Sequence, residues 1–327
     1  MNKPLAPLSL DLDDKWSYLK THGDPSWESY PTYLDVAVPR FLRLLKELDL
    51  RLTVFVVGRD AADPRNHDAI ASIAAAGHEI GNHSFRHEPW FHLYSESEIE
   101  EEVAQAEEHI QAVTGIRPEG FRGPGYSLSE STLRVLLRRG YRFDASTLPT
   151  FLGPLARFYY FRTARLSEEE REQRKILFGS LADGLRPLRP YRWRLPEGAL
   201  LEIPVTTLPL LRVPFHLSYV LYASTYSPAL ANAYFRTALA CCRIARLEPS
   251  LLLHPLDFLG AEDAPSLSFF PAMRMSAEEK LRRIRGYLQA LRDRFEVIPM
   301  GEHSRRLSRE TLRERRPQFD ADRGRVS

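Results

Sequence analysis

Two histidines four residues apart, His83 and His87, close the run Gly77-His78-Glu79-Ile80-Gly81-Asn82-His83-Ser84-Phe85-Arg86-His87. If a helical turn starts there, side chains at i and i+4 share one face, and two imidazoles so placed reach a single metal ion. Upstream, the acidic cluster Asp11-Leu12-Asp13-Asp14 ends an apolar, strand-like run. One aspartate and two histidines are three protein ligands of the kind an open catalytic zinc site uses, with a position left for water or substrate. A buried pair of aspartates beside two histidines is self-repelling without a cation, which is the physical reason to expect a metal there. Farther along, Phe121-Arg122-Gly123-Pro124-Gly125-Tyr126 and Leu251-Leu252-Leu253-His254 each set a functional side chain after a short apolar run.

The elements that position these groups are legible from periodicity. Leu8 to Leu12 has β character, and Leu52 to Gly58 reads as a fully buried parallel strand. His78 to Ile80, Gly120 to Arg122, Tyr141 to Asp144, Leu200 to Pro204, Leu251 to His254 and Phe295 to Ile298 read as further strands. Between them lie helical patterns over 34–48, 64–76, 95–114, 129–139, 229–244 and 277–294. Ser95-x-x-Glu98 is a capping box, Asp63 caps ahead of Pro64, and Gly115 and Gly140 are stop signals. Lys15 to Pro31, rich in Trp, Tyr, Pro and Gly, reads as a loop, either packed on the surface or bordering the substrate. The alternation of strand and helix predicts parallel α/β architecture, with catalytic groups where strands end.

The 327 residues allow one large α/β barrel or two modest domains. The pattern favours a single domain over 1–303, with an aromatic and basic insertion at about 155–200 and an Arg-rich frayed tail at 304–327. A formal net charge of +2 gives no reason to expect nucleic acid as a partner. Cys241 and Cys242 are adjacent in an apolar helical stretch, so core packing is expected rather than a disulfide. The N-terminal residues lack the long apolar region of a signal peptide, and the expected location is the cytoplasm. Leu208 to Ala223 and the insertion leave open a peripheral contact with the inner membrane face.

The motifs, in this order and spacing, resemble those of the NodB-homology polysaccharide deacetylases, carbohydrate esterase family four. The resemblance implies a deformed (β/α) barrel and metal-dependent hydrolysis of an N-acyl group from an amino sugar. It implies one divalent metal ion, zinc expected, on Asp14, His83 and His87. Asp13 is then the general base, oriented by Arg122, and Ser84 steadies the loop between the histidines. The Gly125 N–H stabilises the oxyanion, and His254 is the acid for the departing amine. Pro124 and Tyr126 border the substrate, and Leu252 lines the acyl pocket.

Two departures stand out. Lys15 follows the aspartate pair where the family has glycine, and the family's Asp-x-x-Asp-Trp element survives only as Asp144 with no second acid or Trp. Either Asp144 or Asp257 is available to orient Arg122 or His254. The expected substrate is an N-acylated sugar in glycan or glycoconjugate assembly, nucleotide- or polyprenyl-linked if the chain is cytoplasmic. Deformylation of a lipid-linked formamido sugar, hydrolysis of a non-sugar amide, and a metal-binding but inactive scaffold are the competing readings.

Overall fold

The strand that carries the acidic cluster is also the hub of the fold. In the computed structural model, which describes residues 3–153 and 181–319, β1 (Leu5–Leu12) runs parallel to β2 (Thr53–Val56) on one side. On its other side lie β8 (Leu251–Leu253) and β9 (Glu296–Pro299), also parallel. The sheet continues from β2 through β3 (Glu79–Asn82), β4 (Gly120–Phe121) and β5 (Phe143–Asp144), all parallel. Next comes β7 (Gly198–Glu202), which hairpins with β6 (Tyr191–Leu195), and β10 (Glu314–Arg315) closes that edge. Among the described residues, ten strands thus form one mostly parallel sheet. It curls without full ladder closure. Beyond β7 the gap to β8 is bridged by Thr206 N–H on Ser250 O at 3.1 Å and by Ser250 N–H on the Thr206 hydroxyl at 2.8 Å. This is the deformed barrel that the strand–helix alternation and the family resemblance led us to expect.

The helices of the described residues cover the outside. They are α1 (Lys15–His22), α2 (Leu34–Glu47), the short α3 (Gly58–Ala62), α4 (His67–Ala75), α5 (Glu96–Thr114) and α6 (Glu130–Arg138). They continue with α7 (Leu217–Tyr226), α8 (Pro228–Ile244), α9 (Ala277–Arg294) and α10 (Met300–Leu307). Outward-facing Leu8, Leu10 and Val54 share one buried cluster with Phe41 and Leu45 of α2 and Leu288 of α9. The capping box of α5 forms as expected, and Gly115 closes the helix in the left-handed conformation at φ 71°. No helix among the described residues is long and apolar enough to cross a membrane.

Two parts of the chain differ from the sequence expectation. The stretch from Lys15, expected as a loop, begins with α1, capped at one end by the Asp14 side chain and closed at the other by Gly23 at φ 85°. Eight residues are too short to show helical periodicity, and the segment is held by aromatic anchors instead. The tail expected to fray from Ser304 is folded as far as Phe319. Ser304 lies within α10, β10 pairs with β6, and the Phe319 ring rests 5.6 Å from that of Trp193. Of the insertion, residues 154–180 lie outside the described residues, and its end forms the β6–β7 hairpin. Cys241 and Cys242 are unpaired, Cys242 within the core.

Candidate metal centre and active site

Because the strands are parallel, their C-terminal ends share one rim. Register aligns Leu12 with Val56, Val56 with Asn82, Asn82 with Phe121, Phe121 with Asp144, and Leu10 with Leu253. The next residues outward are therefore Asp13, His83, Arg122 and His254, brought from four strands to one end of the barrel.

The two histidines do not sit on a helix. Ser84 and His87 both adopt left-handed backbone, at φ 61° and 53°, and the chain coils tightly between them. That conformation is expensive for residues with a Cβ and is held by surrounding bonds. Glu102 of α5 accepts the N–H groups of Phe85 at 3.1 Å and Arg86 at 2.8 Å. Asn82 Oδ1 accepts the Ser84 N–H, and the Ser84 hydroxyl accepts that of His87. The rings end 4.8 Å apart. His83 Nδ1 lies 2.6 Å from Arg122 O, so it carries the proton and leaves Nε2 as a lone pair facing the site.

The carboxylate that meets these rings is Asp13. Its Oδ1 lies 3.3 Å from His83 Nε2 and 3.1 Å from His87 Nε2. One ligand atom from each of Asp13, His83 and His87 falls within 4.8 Å of the others. Asp13 Oδ1 and both His87 ring nitrogens are buried without hydrogen-bond partners. Buried polar atoms left unpaired are costly, and a convergent oxygen–nitrogen–nitrogen set fits a divalent cation of the zinc type. Burial alone would raise the Asp13 carboxyl. The charges and ring nitrogens of His87 and His83 reverse that and hold it well below its ordinary value.

Asp14, the ligand expected by resemblance, points elsewhere. Its Oδ1 accepts the Lys15 N–H at 2.7 Å and the Tyr33 N–H at 3.2 Å, capping α1. Arg122 likewise misses Asp13, its expected partner. The fully buried guanidinium donates to Asp11 Oδ1 at 2.6 Å, to the Ser9 hydroxyl at 3.0 Å and to Ala145 O at 2.9 Å, with the Phe55 ring 4.4 Å away. The reason is strand geometry. Side chains two apart share a face, so Ser9, Asp11 and Asp13 look into the barrel and Asp14 does not. Asp11 Oδ2 is 3.9 Å from His83 Nε2, beside the putting-together of the other three groups. The alternation was present in the sequence and would have identified Asp11.

Other expected residues fall on the same rim. Pro124 is buried, and Gly125 at φ 57° heads a tight turn whose next N–H, that of Tyr126, returns to Gly123 O. The Gly125 N–H has no acceptor among the backbone pairs of the described residues. Burial, with the Asp11 charge next, raises the Tyr126 phenol well above its ordinary value. Leu252 is buried in register with Ser9, on the interior face below Arg122. Asp257 holds His254 and not Arg122: it accepts the His254 N–H at 2.8 Å. Asp144 is buried against Glu202 and bonds Ser146, whose hydroxyl accepts the Gly123 N–H at 2.8 Å.

Several contributors were not singled out by the sequence, although Trp16 and Tyr18 lie in the Lys15–Pro31 stretch read as a surface loop or substrate border. Tyr18 of α1 donates to Asp13 Oδ2 at 3.1 Å, and Tyr33 donates to Asp13 O at 2.6 Å. Trp16 bonds Asp60 at 2.6 Å and packs edge-on to His87, with the ring centres 6.4 Å apart. His216, at the start of α7, lies 5.7 Å ring to ring from His254 and 4.5 Å from Tyr219.

A mostly parallel α/β barrel thus brings an Asp-His-His cluster able to hold a divalent cation, an arginine-held aspartate and a histidine to one rim. The family model described as polysaccharide deacetylase matches residues 26–143. The peptidoglycan deacetylase of Helicobacter pylori is 30% identical over 162 residues, 48% of this chain and 53% of that protein. The chitin deacetylase of Colletotrichum lindemuthianum is 30% identical over 115 residues, 34% of this chain and 46% of its own length. This chain thus spans about half the length of the curated relatives it matches. The fold extends farther. A crystal structure described as a polysaccharide deacetylase from Mycobacterium smegmatis, 22% identical, superposes with a TM-score of 0.63 over 98% of this chain and 96% of that one. One from Pseudomonas aeruginosa PAO1, 19% identical, gives 0.58 over 94% and 91%. Residues 26–143 thus resemble the polysaccharide deacetylases in sequence, and the chain shares the fold of these two solved structures.

Proposed function

We propose that this protein is a hydrolase that removes the acetyl group from an N-acetylated amino sugar within a glycan or its precursor. The observation that carries the reading is the convergence of Asp13, His83 and His87 beside the Arg122–Asp11 pair. The named relatives, deacetylases of peptidoglycan and chitin, support the substrate class.

Asp13, His83 and His87 would hold one divalent ion, zinc by the chemistry of the donor set. Such an ion, when bound, polarises the acyl carbonyl and acidifies a water. Asp11 takes the proton from the attacking water, because Arg122 occupies its Oδ1 and leaves Oδ2 toward His83. The guanidinium holds Asp11 in one orientation. The Gly125 N–H is available to the carbonyl oxygen as its negative charge develops. His254 delivers a proton to the amine nitrogen as the C–N bond breaks.

The test is release of acetate from N-acetylated glycan oligomers by zinc-reconstituted protein, with Asp11→Asn and His254→Ala as controls. Nucleotide- and polyprenyl-linked sugars belong in the panel, since a cytoplasmic location would present the sugar in those forms. Acetate release that both variants abolish supports the reading. Release of formate alone from formamido sugars, or no turnover by metal-loaded protein on any panel member, would overturn it.

A further inference from the structure

The ring of His254 is not held by its aspartate directly. The Ser218 hydroxyl of α7 stands between them, 2.8 Å from Asp257 Oδ1 and 3.0 Å from His254 Nδ1. Asp257 Oδ2 is meanwhile engaged by the His254 N–H at 2.8 Å, so one carboxyl grips both the backbone and, through the serine, the ring of the same residue. Asp257 is buried, and beneath it lies the buried Lys280, whose ammonium bonds Leu256 O at 2.7 Å. Burial raises the Asp257 carboxyl, while His254, Ser218 and the Lys280 charge act against that rise.

A hydroxyl has one proton to give and lone pairs to accept with. If Ser218 donates to Asp257, its remaining capacity toward His254 is as an acceptor, and Nδ1 must carry the hydrogen. Resting on the deacetylase reading, we propose that Ser218 is a positioning residue that fixes His254 as the Nδ1–H tautomer, so that Nε2 is the atom that carries and delivers the catalytic proton. In the acid step the Nε2–H proton passes to the amine nitrogen as the C–N bond breaks. The imidazolium then becomes the neutral Nδ1–H ring with its bond to Ser218 unbroken. No bond at Nδ1 has to be exchanged during turnover, which is the advantage of an acceptor that serves both charge states.

His216, the other ring nearby, cannot substitute for Ser218: its Nδ1 is buried and unpartnered. The contacting ring edge is 5.7 Å away between centroids, which is packing and not a hydrogen bond.

The inference is tested first without turnover. Long-range proton–nitrogen correlation spectra of the imidazole nitrogens, recorded on the full chain at a pH where His254 is neutral, report which nitrogen is protonated. Nδ1–H is expected in the wild type, with a shift toward Nε2–H in Ser218→Ala and recovery in Ser218→Thr, which keeps the hydroxyl. In the acetate-release assay, Ser218→Ala should lose roughly tenfold or more in kcat at little change in KM, and Ser218→Thr should regain most of it. A wild-type ring protonated at Nε2, or a Ser218→Ala spectrum identical to wild type, overturns the assignment. If the spectra behave as expected but no substrate is turned over, the tautomer assignment stands and the deacetylase reading fails instead. Thermal unfolding of each variant confirms that the comparison is made between folded proteins.

Discussion

Arg122 and Asp11 are joined at 2.6 Å in a buried ion pair, two residues upstream of the carboxylate that faces the histidines. The pair separates two duties that adjacent aspartates would otherwise share. On the proposed mechanism Asp13 serves the cation and Asp11 serves the proton. Replacing Asp11 with Asn should therefore leave zinc stoichiometry near one per chain and lower turnover by about 10²–10⁴-fold. Asp13→Asn should instead reduce bound zinc after dialysis. Equal loss of metal in both variants would contradict the division.

Asp14 has the opposite profile. Its carboxylate caps α1 and accepts the buried Tyr33 N–H. Asp14→Ala is expected to bind zinc as the wild type does while losing about 1–3 kcal/mol of stability, the range for a lost cap and an unpaired buried donor. Urea unfolding beside metal analysis separates the two effects. Loss of zinc from a fully folded Asp14→Ala protein would restore Asp14 to the ligand set.

His78 supplies a pH dependence away from the site. Burial and the Arg51 charge lower its pKa to about 4, and its Nδ1 accepts the Leu52 N–H at 3.3 Å. The folded state thus resists a proton that the unfolded chain accepts near pH 6.5. This contribution to stability is fully present above that value and is lost as pH falls toward about 4. His78→Asn keeps an acceptor without the titration. The gap between unfolding midpoints at pH 7 and pH 4.5 should be smaller in the variant, and an unchanged gap would count against His78 as the source.

His216 places a cost on the pocket. It is 4% exposed, its Nδ1 has no partner, and burial, with His254 and Arg122 next, keeps its pKa well below normal. Replacing the ring with Phe removes an unsatisfied polar atom while keeping a planar aromatic ring and should raise the melting temperature by a few degrees. Scanning calorimetry decides this; a lower melting temperature would mean that the imidazole is paired in solution.

The sequence by itself determined the strand–helix alternation, most element positions, and the residues His83, His87, Arg122, Gly125 and His254 that the strands deliver to one rim. Those features are local, since periodicity, capping and motif order need no knowledge of distant partners. Tertiary structure decided where each of three acids points and what it meets. The cluster Asp11-Leu12-Asp13-Asp14 contains several carboxylates within one strand end. Their facing depends on the pleat of β1 and on where that strand stops and α1 begins. The Tyr33 bonds to Asp13 and Asp14 and the serine between Asp257 and His254 join residues far apart in the chain. Each arises from how helices pack against the sheet, a long-range geometry that no spacing within a motif encodes.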